Sequence, residues 1–463
     1  MGSEASTKQP AGTASQGSPE YNGITDGVIW KQLLLFFFPI LFGTFFQQLY
    51  NTADAMIVGH FVGKEALAAV GGPTGTLINL LVGFFVGLSS GASVIISQFY
   101  GARQKSRVSH AVHTAIGFAI AGGLTLMIVG IVGAPFALKA MGTPDDIMGF
   151  AMVYIRIYFL GTVSNLIYNM GAGILRAVGD SKRPLYFLMT SCLINIVLDM
   201  VLVVGCRLNV MGAAIATISS QTISAVLVMV TLIRTRDSYR LFIRKIRIHY
   251  VLLLRMIRIG FPAGLQSVMY SLSNIIIQSS VNSLGTDTIA AWTAYGKIDT
   301  IYWMLMNAFG ISITTFAGQN FGAERYDRVR KGIRVCLTMS FAASIGVSVL
   351  LYFFGYYIFA LFTSDPGVLA VGEQLIHFLV PLFFTYVCIE ILSGGLRGIG
   401  DCWIPMIMTG LGVCALRVLW VLVAVPYHHT MKMVAVSYPL TWIVTSVFFV
   451  IYYLRFSKMR NYH

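Results

Sequence analysis

Twelve runs of about twenty apolar residues dominate this chain, each long enough to cross the hydrocarbon core of a bilayer. They lie near 33–58, 73–99, 110–133, 147–173, 184–205, 211–233, 257–283, 293–318, 332–362, 368–393, 404–425 and 434–454. A backbone in lipid must satisfy its own hydrogen bonds, so each run is predicted to be a helix. Composition agrees: 56% of the 463 residues are hydrophobic and 11% are charged. A soluble domain carries roughly 25% charge. Soluble, collagenous, disordered and coiled-coil classes are excluded on those figures.

The net charge of +14 is distributed by side. With the N-terminus inside, 25 Lys and Arg fall on inward segments. Only Lys64, Lys139, Arg207 and Lys432 fall on outward loops. That asymmetry is the positive-inside signal. It predicts a multi-pass protein of the plasma (inner) membrane with both termini cytoplasmic. No basic patch lies outside these loops, so no nucleic-acid partner is expected. The six cysteines sit in or beside apolar runs, form no CxxC pair and read as core residues. The start Met1-Gly2-Ser3-Glu4-Ala5-Ser6 fits the myristoylation pattern; a plain polar tail fits it as well.

The two halves repeat at an offset near 221. Gln98-Phe99-Tyr100-Gly101-Ala102 pairs with Gln319-Asn320-Phe321-Gly322-Ala323, and Leu175 to Asp180 pairs with Leu396 to Asp401. Pro184 likewise pairs with Pro405. Each repeat holds six spans, an even number, so both point the same way through the membrane. The expected fold is an all-α integral membrane protein of twelve transmembrane helices. They form two six-helix lobes related by a pseudo-two-fold axis along the membrane normal, with a cavity between the lobes. The chain then divides into a disordered cytoplasmic tail (1–30), an N-lobe (31–233), a basic cytoplasmic linker (234–256), a C-lobe (257–455) and a cytoplasmic C-terminus (456–463). The linker alternates basic and apolar residues. It reads either as a segment lying on the anionic leaflet or as a solvated connector.

Polar groups inside spans are costly and mark function. Span 1 carries Gln47, Asn51 and Asp54 on one helical face, and span 5 carries Ser191, Asn195 and Asp199 on one face. Span 6 offers Thr217, Gln221 and Ser224. Span 4 offers Tyr154, Tyr158, Asn165 and Asn169. Two nearby carboxylates in low dielectric take up a proton or share a cation. Carboxylate, amide and hydroxyl oxygens suit a hard monovalent ion, so Na⁺ at Asp54, Asn195, Asp199 and Thr217 is one expectation. The alternative is an ion pair with Arg156.

The second repeat differs. Asn274 stands at the Asn51 position, and Glu390 faces the Asn169 position. Span 7 bears a stripe of Gln266, Tyr270, Asn274 and Gln278 but no acid. Lys297 and Asp299 open span 8. The candidate substrate cavity is therefore Gln47, Asn51, Tyr158, Asn274, Tyr270, Lys297, Asp299 and Glu390. Pro39 removes a backbone donor within span 1 and favours a bend. Gly83, Gly87 and Gly91 are four apart and admit a closely packed neighbour.

The segments QQLYNTADAMIVGHFVGKEALAAVG (47–71), SQFYGAR (97–103), LRAVGDSKRP (175–184), AAWTAYGKID (290–299) and GQNFGAE (318–324) resemble those of the MATE (multidrug and toxic compound extrusion) transporters. The resemblance runs from about Lys31 to Arg455. It implies twelve helices in two lobes and export of organic cations and amphipathic drugs in exchange for Na⁺ or H⁺. It also implies that Asp54 is the first-helix acid, that Pro39 marks the bend, and that Asn195, Asp199 and Thr217 form the cation site. Tyr154 and Asn169 would stand beside that site. Relatives with an acid on helix seven differ from this chain, which favours N-lobe coupling.

Two other readings compete. A flippase for a lipid-linked or amphipathic metabolite would use the same fold. An intramembrane enzyme is suggested by Gly398-Ile399-Gly400-Asp401, which fits a GxGD motif. Asp401 has a counterpart, Asp180, in the other repeat, and both precede a proline-led helix, which reads as capping. Neither HExxH nor G-x-x-x-x-G-K-[ST] occurs. No enzyme activity, no cofactor and no ATP drive is expected. The expected partners are a small-molecule substrate and membrane lipid.

Overall fold

A computed structural model describes residues 23–361, 363 and 365–457. The expected tail up to residue 22, its myristoylation pattern and the last six residues lie outside the described residues. The first described element is a single helical turn, Gly23–Asp26. Eleven helices long and apolar enough to span follow, and a bent pair makes the twelfth. In the N-lobe these are α1 (Ile29–Phe61), α2 (Lys64–Gly101), α3 (Lys105–Ala140), α4 (Asp145–Leu160 with Thr162–Ala177), α5 (Lys182–Gly205) and α6 (Asn209–Arg234). In the C-lobe they are α7 (Tyr250–Asn282), α8 (Thr286–Gly322), α9 (Tyr326–Ala360), α10 (Pro366–Gly398), α11 (Trp403–Val423) and α12 (Met431–Arg455). Among the described residues there is no strand.

Most helices run past the apolar stretches that announced them, because helical hydrogen bonding continues into the polar ends. The largest difference is at the linker. Helix α7 begins at Tyr250, so the connector ends there rather than at 256. Ahead of it, the chain is strapped to α3. The Phe242 amide donates to His113 Nε2 (3.0 Å) and the His249 amide to Thr114 Oγ1 (3.2 Å). Leu241 is buried. A second difference is a separate short helix, Lys64–Gly71, ahead of the main body of α2.

Two irregularities shape the N-lobe. Helix α4 bends by 49° at Gly161, where Thr162 Oγ1 donates to Phe159 O (2.7 Å) and to Gly123 O (3.3 Å); a Gly next to a hydroxyl residue is a recognised cause of such kinks. Helix α5 changes to a π-helix over Met200–Gly205, starting at the residue after Asp199. In α10, the stretch Val380–Tyr386 tightens to 3₁₀, where Pro381 removes a backbone donor.

The lobes meet along glycines. A Cβ on Gly87 would lie 2.6 Å from Gly264 Cα, and one on Gly91 would lie 2.1 Å from Met256 O. Gly260 and Gly264 of α7 return the relationship toward Leu88 O and Phe84 O. Such contacts let the α2 and α7 backbones touch, so dispersion acts where lipid offers no hydrophobic drive. Helix α1 serves both lobes. Its first half, including Leu33, Phe36, Phe37 and Ile40, packs into the C-lobe core, with Phe37 stacked on Phe309 at 4.1 Å. Its second half places Val58 in an N-lobe cluster. Pro39 stands at the changeover, inside a helix that continues unbroken through it. Exposed Phe136, Leu193 and Leu411 lie on the outer surface expected to face lipid.

Candidate functional site

A cavity of about 1240 Å³ lies beside the second half of α1, at the end of that helix remote from Ile29. It reaches His60 and Lys64, at the turn between α1 and α2. Its walls are almost wholly N-lobe: the polar face of α1, the first half of α2, the α4 pair and α6. The C-lobe contributes Lys297.

The 3.6-residue period of α1 aims Gln47, Asn51 and Asp54 into this cavity, and α4 aims Tyr154, Tyr158, Asn165 and Asn169. Tyr154 and Tyr158 stack one turn apart with ring centroids 6.2 Å apart. The Asn169 amide donates to Asn165 O (2.9 Å) and Oδ1 (3.0 Å), so this pair is tied to itself on the wall. Thr217 of α6 lies 3.5 Å from Asp54 Oδ2 and donates more closely to Ala213 O (3.0 Å).

Asn195 and Asp199 lie off the cavity wall, on α5, which packs against both α1 and α6, the helices of Asp54 and Thr217. Asn195 and Asp199 are fully buried, at 0% exposure. Neither side chain has a hydrogen-bond partner, and Asp54 Oδ1 also lacks one. Asp54 and Asp199 are close enough for their charges to oppose one another. Arg156 is exposed, and no ion pair involves either acid among the described residues. The arginine-pair alternative thus has no support here. An unpaired buried carboxylate costs several kcal/mol, so the group must be neutralised or bind a cation. The donor set of two carboxylates, one carboxamide and one hydroxyl fits a proton or a hard monovalent cation.

The C-lobe candidates lie elsewhere. Asn274 is exposed, and it, Tyr270, Asp299 and Glu390 are not on the cavity wall. Trp303 Nε1 donates to Asp299 Oδ2 (2.6 Å) and Tyr386 OH donates to Glu390 Oε2 (3.1 Å). The Tyr386 and Tyr270 hydroxyls are 3.4 Å apart. Arg417, buried among these groups, donates to Thr441 Oγ1 (3.1 Å) and lies 4.0 Å from the Tyr438 ring centroid. The expected two-lobed substrate wall is therefore one-sided in this conformation. Polar cavity residues absent from the sequence-based set include Asn79, His60, Lys64, Tyr50, Gln48 and Thr52. Asn79, a lone amide in an apolar run, carried a signal that could have found it.

The MatE family model matches residues 39–201 and 262–423, one copy on each lobe. The chain is 30% identical over 437 residues to the "Probable multidrug resistance protein YoeA" of Bacillus subtilis (strain 168), covering 92% of this chain and 93% of that protein. Among solved structures, it superposes with a TM-score of 0.88 on one described as the outward-facing conformation of a multidrug resistance MATE family transporter of the MOP superfamily. Identity is 21%, covering 96% of this chain and all of that one. A second, from Pyrococcus furiosus Vc1 (DSM3638), also gives 0.88, at 22% identity over 96% and 100%. It is described as a MOP superfamily transporter whose reversed pocket polarity suggests a different function. At these identities the structures show the fold.

Proposed function

The chain belongs to the MatE family of membrane transporters, and from that premise we propose that it exports organic cations and amphipathic drugs by cation-coupled alternating access. Members of the family are transporters rather than enzymes, and this one is a multi-pass plasma-membrane protein with small-molecule cargo. The orientation rests on the charge asymmetry of the loops, which puts both termini in the cytoplasm. The cavity then opens outward.

One observation carries the reading. Two buried acids have no counter-charge, Asp54 on the cavity wall and Asp199 off it. With Na⁺ or H⁺ held among Asp54, Asn195, Asp199 and Thr217, the wall is neutral and a cationic cargo loses its attraction. With the ion gone, the acids attract the cargo again. Competition for one charge gives exchange, because each ligand biases the same two-state equilibrium in opposite senses. Tyr154, Tyr158 and the amides of Gln47, Asn51 and Asn169 supply aromatic faces and adaptable hydrogen bonds for cargo. Pro39, where α1 passes from one lobe to the other, is the natural bend point. Lipid around the exposed apolar surface is the solvent; neither ATP nor nucleic acid is required.

A flippase has one observation in its favour: Lys64 and Lys297 line the cavity and could hold an anionic head group. The test uses proteoliposomes, a fluorescent organic cation and separately imposed Na⁺ and H⁺ gradients. Efflux driven by one gradient, lost in Asp54→Asn and Asp199→Asn, supports exchange. Scrambling of a labelled anionic lipid without cation efflux would replace it with the flippase.

A further inference from the structure

At the face that carries the termini, the repeated motifs of the two halves grip each other. Gln98 Nε2, near the end of α2, donates to Gly398 O at the end of α10 (2.8 Å). Gln319 Nε2, near the end of α8, donates to Ala177 O at the end of α4 (2.6 Å). Each bond joins one lobe to the other. Gln98 and Gln319 differ by 221, as do Ala177 and Gly398, so one bond is the image of the other under the internal two-fold.

The surroundings obey the same symmetry. A Cβ on Gly101 would lie 1.9 Å from Gln319 O, and one on Gly322 would lie 1.9 Å from Gln98 O. Only glycine admits that approach. The turns beyond Ala177 and Gly398 hold Gly179 and Gly400 at φ +107° and +86°, with the opposing glutamine nitrogens 4.0 and 3.7 Å from their Cβ positions. Left-handed glycines let each chain turn tightly over the carboxamide.

We propose that Gln98 and Gln319 are the gating residues of transport, a reciprocal carboxamide clasp that closes the terminal face while the cavity is open on the other. The proposal rests on the alternating-access reading. It deepens it by assigning the closing energy to two equivalent bonds rather than to bulk packing. Both bonds must break before the lobes part at this face. A buried amide–carbonyl bond contributes about a factor of five to such an equilibrium. Two together make the closed form about 25-fold more populated than it would be without them.

The experiment measures the distance between the lobes at the clasp. Spin labels go at Ser106→Cys and Asp327→Cys, exposed positions that are also 221 apart, with Cys206 and Cys388 replaced by Ser. The purified full-length protein is read by pulsed dipolar spectroscopy. Methionine keeps the length and volume of glutamine without the donor. Gln98→Met and Gln319→Met should each raise the long-distance population about five-fold, and the double variant about 25-fold. An unchanged distribution in either single variant overturns the clasp. Should the double variant not be recoverable, Gly101→Ala and Gly322→Ala wedge the backbone approaches that carry Gln319 and Gln98 to their partners. Each must then open the terminal face, and a closed distribution in either overturns the proposal. No ion flux enters the readout, so failure of ion coupling would leave this result standing, and the reverse.

Discussion

Asp54 on α1 and Thr217 on α6 face each other across 3.5 Å at the point where an open cavity gives way to buried Asn195 and Asp199. On the proposed exchange mechanism, cargo and coupling ion share this single carboxylate. Of the two acids, Asp54 lines the cavity and Asp199 does not, so that mechanism has the ion reach Asp54 first.

Neutral replacement at Asp199 should separate stability from transport. Asp199→Asn removes an unpartnered buried acid while keeping the shape, so the desolvation penalty of that group falls. The expected outcome is a melting temperature equal to or above that of the parent, with gradient-driven efflux down at least about ten-fold. Thermal unfolding in detergent and proteoliposome efflux, measured on the same preparation, check it. A large loss of stability would show that Asp199 holds the fold instead.

Close approach of α2 and α7 should depend on hydrogen at the Cα. Gly91→Ala places a methyl group 2.1 Å from Met256 O, and backbone cannot rotate away as a side chain can. Overpacking of this kind costs about 1–3 kcal/mol. Gly149→Ala meets nothing within 4 Å and should leave unfolding unchanged or slightly delayed. A melting temperature for Gly91→Ala that matches the control would remove the packing role.

The spans, the repeat and the polar faces of α1, α4, α5 and α6 were legible because each is a local pattern: twenty apolar residues, a fixed offset, a 3.6-residue period. The site's depth was not. Nothing in the spacing of Asn195 and Asp199 says that they lie off the cavity wall that Asp54 lines. The π-helix over Met200–Gly205 and the bend at Gly161 follow from packing between helices. Asp299 and Glu390 looked like cavity residues by their charge alone. Trp303 and Tyr386, each one turn away on the same helix, instead hold them within their own lobe. The strap on His113 and Thr114 depends on residues more than 120 positions apart, which no periodicity reveals.

The C-lobe cluster should behave as one coupled unit. Arg417 lies over the Tyr438 ring and Asp299 accepts from Trp303; Trp442 packs against both rings, with no direct ion pair between the two charges among the described residues. Arg417 is buried and Asp299 half-buried, and removing either leaves the other with less compensation. Arg417→Met and Asp299→Asn should each destabilise the protein by about 2–4 kcal/mol, and the double variant by less than the sum. Chemical denaturation in a double-mutant cycle supplies the coupling energy. Strict additivity would mean that the two groups are independent.

The strap between the lobes should loosen when its anchor is removed. His113 is buried and held by Ser109 O at Nδ1 (2.6 Å). Its Nε2 accepts the Phe242 amide. The exposed basic residues that follow, Arg244, Lys245 and Arg247, are trypsin sites on a segment that must detach before it can enter a protease. Of the two hydrogen bonds that His113→Ala removes, the one to the Phe242 amide holds the strap and is worth about 1 kcal/mol. The detached population and the cleavage rate should both rise about five-fold if reclosing is faster than cutting. Limited proteolysis of the intact protein, with fragments identified by mass, gives the rate at this segment. Phe242→Ala keeps the amide and so separates the anchor from the side chain. It should leave the rate nearer to that of the parent, and equal acceleration in both variants would transfer the anchoring role from the His113 ring nitrogen to packing against Phe242.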